Sequence, residues 1–313
     1  MPNLNEARVP RSQPAARTPE SFAEANGIQL CWDSFGDLSH PAVILVMGMG
    51  AQMTGWDDEF CEQLALRGFR VIRFDNRDVG RSTWLDAAGM PDVTRAMTRA
   101  WLRLPVTAPY LLDDMARDVV NLMNALGIPR AHVVGASMGG AIAQVMAIRH
   151  PERMLSMTSI MSTTGDPDLP KPHDAAVAAV MRPLPKHLDD YVARYIDTYR
   201  VLRLGHFPEE QERDRARALR NHARGVNPAG GARHLMAILA SGSRKKALRN
   251  VAVPTLVIHG DLDPLVPLAA GFETATSIPG AHMMVLKGMG HALPASMWPQ
   301  MHDGIAALAA RGS

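Results

Sequence analysis

The 313-residue sequence predicts an α/β protein, with a mostly parallel central sheet flanked by helices and a helical insertion late in the chain. Three observations lead there. From residue 40 onward, short apolar runs alternate with longer segments of helical periodicity, the pattern of a parallel sheet covered on both faces. The runs are apolar throughout rather than alternating, as strands buried on both sides must be. One long stretch, 166–250, shows no strand pattern but is rich in charge and helix formers, as in PEEQERDRARALRNHARG.

The elements follow in order. Residues 1–20 are rich in arginine and proline and lack an apolar run, so they are expected to form a flexible tail rather than a secretion signal. SFAEANG and IQLCWDSFG read as an antiparallel hairpin turning at Asn26–Gly27, since Asn-Gly tolerates the positive φ values of a tight turn. AVILVM (42–47), RVIRFD (70–75), AHVVGA (131–136), MLSMTSIM (154–161), TLVIHG (255–260) and HMMVLKG (282–288) read as parallel strands. Leu111, Met115, Val119, Leu122, Met123 and Leu126 share one helical face, and that helix stops at Gly127 with Pro129 beyond. A second helix follows Ser137 and ends near His150–Pro151, and the last covers about 295–310. The core is thus expected in two parts, 21–165 and 251–313, with 166–250 as a helical cap over the strand ends. Within the irregular segment 84–110, DVTRAMTRAWLRL is expected to form an extra helix with Trp101 on its apolar side.

Composition narrows the function. Hydrophobic residues make up 47% and charged residues 20%, ordinary for a water-soluble domain, and the net charge is only +2. That balance argues against nucleic acid and anionic membranes as partners. No run is long enough to span a bilayer, so a cytoplasmic location is the expectation. Cys31 and Cys61 lack metal-ligand spacing and a strand-to-helix setting, so both are expected to be buried packing residues. No feature implies a metal or a cofactor, and none specifies an oligomeric state.

Chemistry concentrates in three loops. Gly135-Ala136-Ser137-Met138-Gly139 stands between a strand and a helix, where a sharp turn lifts a serine hydroxyl clear of the sheet. A serine hydroxyl is a poor nucleophile near neutral pH. It needs a histidine base, and the histidine needs a carboxylate to fix its tautomer. After TLVIHG come Asp261 and Asp263, and after HMMVLKG comes His291, in the chain order serine, acid, histidine. Asp263 precedes Pro264, which restricts its backbone to extended conformations and makes a rigid mount. Asp261 follows the strand's last glycine and is expected to shape the turn. His259 and His282 lie on strands and are expected to pack. The backbone N–H groups of Met138 and of Met49, in Met47-Gly48-Met49-Gly50, are expected to form an oxyanion hole, with Gly48 and Gly50 against the substrate.

Together these residues resemble the α/β-hydrolase superfamily, and the likeness spans nearly the whole chain after residue 20. ILVMGMG, WDDEF, FDNRDVGRST, AHVVGASMGG, PTLVIHGDLDP and GMGHALP look most like the serine esterase branch that includes aclacinomycin methylesterase. The resemblance implies a carboxylesterase-type enzyme acting on a small-molecule ester, with Ser137 as nucleophile, His291 as base, Asp263 as acid and no cofactor. Three departures stand out: Met47-Gly48 replaces the common His-Gly, Asp78 replaces the first glycine of a D-x-R-G-x-G-x-S loop, and 84–110 is long. The same triad also serves cofactor-free perhydrolase or haloperoxidase chemistry and lactone or carbon–carbon hydrolysis, and the fold also serves non-catalytic ligand receptors. These alternatives stay open at the level of sequence.

Overall fold

A computed structural model of the chain describes residues 15–311. Among them, eight strands form one sheet: β1 (Arg17–Ala25), β2 (Ile28–Phe35), β3 (Ala42–Val46), β4 (Arg70–Phe74), β5 (Ala131–Ala136), β6 (Met154–Ile160), β7 (Thr255–Gly260) and β8 (His282–Leu286). The spatial order is β1-β2-β4-β3-β5-β6-β7-β8. The first two strands run antiparallel to their neighbours, and β4 onward is parallel. The β1–β2 turn is Asn26–Gly27, with φ of 54° and 77°, as a two-residue hairpin turn of this kind requires.

Helices α1 (Asp58–Ala65), α2 (Val93–Trp101), α3 (Leu112–Ala125) and α4 (Met138–Arg149) belong to the first half of the chain. Between β6 and β7 come α5 (Asp174–Met181), α6 (Leu188–Leu202), α7 (Gln211–Arg224), α8 (Pro228–Ser241) and α9 (Lys245–Leu248). The chain closes with α10 (Leu268–Ser277) before β8 and α11 (Trp298–Ala309) after it.

The two faces of the sheet are covered separately. On β3, Ile44 and Val46 pack with α3 and α4, whereas Val43 and Leu45 pack with α1 and α11. This is the period-two alternation of a strand with both faces buried. Each fully buried aliphatic side chain contributes about 1.5–3 kcal/mol, so the continuous apolar runs act as the framework that fixes the strand ends. Among the described residues no helix is long and apolar enough to cross a membrane.

Two boundaries differ from expectation. β1 begins at Arg17, inside the stretch read as tail, because Arg17 bonds Asp33 and Asp58 at 2.9 Å each. Residues 1–14 of that stretch lie outside the described residues. In the 84–110 segment, α2 forms and Asp92 caps it by accepting from the Arg95 N–H. Trp101, however, is 73% exposed rather than packed. The helix rests on α8, with Ala96 its buried residue, and Trp101 is its final residue, past that contact.

Three buried histidines give the fold an acid sensitivity. Burial pushes His132, His234 and His302 from 6.5 down to about 4. Their neutral forms are therefore favoured in the folded chain, and stability is fully present above pH 6.5. It is lost as pH falls from 6.5 towards 4, where the unfolded chain binds more protons. Each histidine removes up to about 1.4 kcal/mol per pH unit over that window. Thermal melts should therefore show Tm falling between pH 7 and 5. The fall should shrink in His302→Phe, which keeps a ring against Phe60 but cannot titrate. A Tm that is flat over this range would contradict the account.

Candidate active site

β5 runs straight into α4 with Ser137 as the joint. Ser137 has φ 56° and ψ −120°, a strained conformation for a residue with a side chain. Its N–H is held by the Ile160 carbonyl at 2.9 Å. The flanking glycines make the turn possible, because a Cβ at Gly135 would stand 2.1 Å from the Gly139 carbonyl oxygen and one at Gly139 2.0 Å from that of Val46. The tightness of the turn aims the Ser137 hydroxyl away from the sheet into a cavity of about 620 Å³.

His291 and Asp263 reach the same point from the loops after β8 and β7. His291 Nε2 lies 3.0 Å from Ser137 Oγ, and His291 Nδ1 lies 2.7 Å from Asp263 Oδ2. The other Asp263 oxygen, Oδ1, accepts the N–H groups of Leu265 and Val266 at 2.9 and 2.8 Å. The carboxylate is thus locked in place, with one oxygen reserved for the imidazole. A carboxylate can only accept, so Nδ1 carries the hydrogen and Nε2 is free to take one from Ser137. Helix α6 steadies the histidine loop, since the His291 N–H donates to the Leu202 carbonyl at 2.8 Å.

Asp261 is elsewhere engaged, accepting the Gly288 N–H at 2.6 Å, as a turn-shaping residue would. His282 does not pack as expected: it is exposed at the start of its strand and meets Arg311. His259 is buried and bonds the Val266 carbonyl at 2.8 Å through Nε2, which also lies 3.6 Å from Asp263 Oδ2. Its role as a packing residue on the strand therefore extends to the acid loop, a contact that strand position alone does not announce. Burial holds its pKa below the ordinary histidine value. The thiols of Cys31 and Cys61 are unpaired and buried, which pushes each up to about 12 and keeps them protonated.

The loop after β3 faces the nucleophile. Met49 lies in it, and Met138 is the first residue of α4; neither N–H has an acceptor among the described residues. Gly48 packs directly against Ser137, and Gly48 and Gly50 both line the cavity. The Gly50 N–H is already engaged, donating to His234 Nδ1 at 3.0 Å. His234 Nε2 in turn donates to the Arg77 carbonyl at 2.7 Å. Only the neutral ring can do both, in keeping with its depressed pKa. An imidazole from α8 thus steadies the loop after β3, in which Met47-Gly48 stands. Asn76 adds a second brace, donating to the Met47 carbonyl at 3.0 Å.

Residues 75–82 are the scaffold beneath. Asp75 accepts the N–H groups of Met53 and Arg81 at 2.7 and 2.9 Å. Arg77 grips Asp118 with Nε and Nη2 at 2.7 and 2.6 Å. Asp78 has φ 70°, which explains why a glycine suits that position and what its replacement needs in return. Its carboxylate accepts from Arg233 at 2.8 and 2.6 Å, from Tyr110 at 2.7 Å and from the Leu85 N–H at 2.7 Å. Burial opposes its charge, but these donors hold its pKa below the ordinary carboxylate value. Asp78 thereby ties α8 and the 84–110 segment to the core. Among the described residues no cluster of three or more His, Cys, Asp or Glu side chains is placed to hold a metal.

Comparison with known proteins agrees with this architecture. The chain is 28% identical over 308 residues to rhodomycin D methylesterase of Streptomyces sp. (strain C5), covering 92% of this chain and 96% of that protein. It has the same identity and coverage with the rhodomycin D methylesterase of Streptomyces peucetius. The structure of the meta-cleavage product hydrolase of Pseudomonas fluorescens IP01 superposes with a TM-score of 0.72 at 19% identity, covering 94% of this chain and 98% of that one. Residues 41–294 match the sequence profile of the alpha/beta hydrolase fold family. With that match running from just before β3 to just past the histidine loop, this chain belongs to the α/β-hydrolase family.

Proposed function

We propose that the chain is a carboxylic-ester hydrolase working through an acyl-enzyme on Ser137. The observation behind this reading is the unbroken relay from Ser137 Oγ to His291 Nε2 and from Nδ1 to Asp263, beside the Met49 and Met138 N–H groups, which have no acceptor among the described residues. Ser137 Oγ attacks the ester carbonyl as its proton passes to His291 Nε2. Asp263 stabilises the imidazolium, and the N–H groups of Met49 and Met138 receive the oxyanion. The imidazolium then protonates the departing alcohol. Water, deprotonated by the same nitrogen, releases the acid and restores the serine. Every group in this cycle belongs to the chain, so no cofactor is assigned.

The similarity to two methylesterases over more than nine-tenths of the chain supports ester chemistry in particular. We assign residues 166–250 the role of a cap. Helices α5 to α8 contribute much of the cavity wall, Leu265 and Leu293 adding apolar surface from the core side. A small or medium ester suits a cavity of about 620 Å³. We assign the enzyme to the cytoplasm, where two unpaired thiols stay reduced. A panel of p-nitrophenyl esters of increasing acyl length, run beside a lactone and a peroxide-dependent halogenation assay, tests the reading. Turnover is expected to be highest with an ester. Faster turnover of the lactone, or activity only with peroxide, would overturn it.

A further inference from the structure

The cavity wall carries charge of one sign. Among the described residues, Arg182, Arg194 and Arg217 line it, and no aspartate or glutamate does. Two of these arginines are neutralised from behind. Arg182 pairs with Asp197 at 2.6 Å. Arg217 holds Asp57 through two nitrogens and Asp214 at 3.0 Å, with Glu210 at 3.4 Å.

Arg194 is different. No carboxylate lies within 4 Å of it among the described residues, although its neighbours on α6 offer two by spacing. Asp190, four residues earlier, is exposed and does not pair with it, and Asp197, three later, is shared between Arg182 and Arg200. The Arg194 guanidinium spends one nitrogen on the Arg182 carbonyl, and its Nε is buried with no partner among the described residues. Burial and the neighbouring Arg182 both work against its charge. A half-buried guanidinium without a counter-ion is costly unless something else supplies the anion.

The surroundings suit a ligand. Tyr191, Tyr195 and Tyr199 follow at four-residue intervals on α6 and line the same cavity as Ser137 and His291. Their rings lie 6.2 and 4.7 Å apart in succession. The guanidinium supplies the charge-assisted donors a carboxylate needs, and the tyrosine rings lining the same cavity form walls beside it.

We infer that Arg194 is a specificity-determining residue that binds a carboxylate carried by the substrate away from the scissile ester. The inference rests on the esterase reading for the word substrate, but the binding itself does not depend on it. The preferred substrate class is then the half-ester of a dicarboxylic acid, or an ester whose alcohol part bears a carboxylate.

Titration calorimetry with two non-ester probes tests this: adipamate, which carries one carboxylate and one amide, and the neutral diamide adipamide. The wild-type protein should bind adipamate about tenfold or more tightly than adipamide, as a charge-assisted hydrogen bond predicts. In Arg194→Gln the preference should vanish, and in Arg194→Lys part of it should remain. Equal affinity in the wild type, no binding of either probe at about 10 mM, or a preference that survives in Arg194→Gln would overturn the inference. Tm of each variant confirms that it is folded. Turnover of p-nitrophenyl butanoate by the wild type reports separately on the esterase. Turnover with equal probe affinities removes the Arg194 role alone, whereas a probe preference without turnover removes the esterase and leaves the anion site standing.

Discussion

Ser137→Ala is expected to abolish covalent labelling by a fluorophosphonate and to lower kcat by about 10⁶, because triad members act as a unit. The size of the effect follows from the geometry. Among the described residues His291 Nε2 has one hydrogen-bond partner, Ser137 Oγ at 3.0 Å, so removing that hydroxyl leaves the base without the group it activates. No neighbouring nucleophile substitutes for it, since both thiols are buried and held protonated. Alanine fits the backbone as serine does, and the Ile160 carbonyl still receives the N–H of residue 137. Tm should therefore move little. Residual activity should reflect binding and the two N–H donors of Met49 and Met138 alone. Labelling that persists in a folded Ser137→Ala protein would place the nucleophile on another residue and remove the assignment.

The contrast between what was legible in the sequence and what was not has a physical basis. The parallel strands could be read because burial on both faces demands uninterrupted apolar runs, and 131–136 and 255–260 match to the residue. Ser137, Asp263 and His291 could be read because each sits just past a strand, and chain order supplied their roles. Residues whose job depends on a distant partner were silent. His234 lies within α8 and clamps Gly50, 184 positions away, without any motif around it. Asp78 looked like a simple departure from a glycine pattern, yet its carboxylate draws Arg233, 155 positions on, and Tyr110 onto the loop. Arg194 was hidden for the opposite reason. Its i−4 spacing from Asp190 advertises an ordinary helix ion pair, and only the fold reveals that the pair does not form. Trp101 was misread because helical periodicity says which residues share a face but not how far the neighbouring helix extends along it.

The acid of the triad gives the second large effect. Asp263→Asn should lower kcat by up to about 10⁴, the size seen when a triad carboxylate becomes an amide, with little change in Tm. The amide has two ways to sit. If its oxygen keeps the N–H groups of Leu265 and Val266, its NH2 faces His291 Nδ1, where an acceptor is required. The ring must then move its hydrogen to Nε2, and Nε2 can no longer accept from Ser137. If the amide flips, its NH2 meets two backbone donors instead, which is worse. The first arrangement is preferred, so the protein folds with the wrong tautomer. Asp261→Asn offers a sharp control. Its carboxylate's one hydrogen bond among the described residues is from the Gly288 N–H at 2.6 Å, which an amide oxygen accepts as well as a carboxylate does. That variant should keep kcat within about tenfold of wild type, the loss of a single loop contact being worth no more than ~1.4 kcal/mol. Stopped assays on both variants at matched Tm separate the two acids. If Asp261→Asn proves the severe lesion and Asp263→Asn the mild one, the imidazole is oriented by a different carboxylate from the one that lies 2.7 Å from it here.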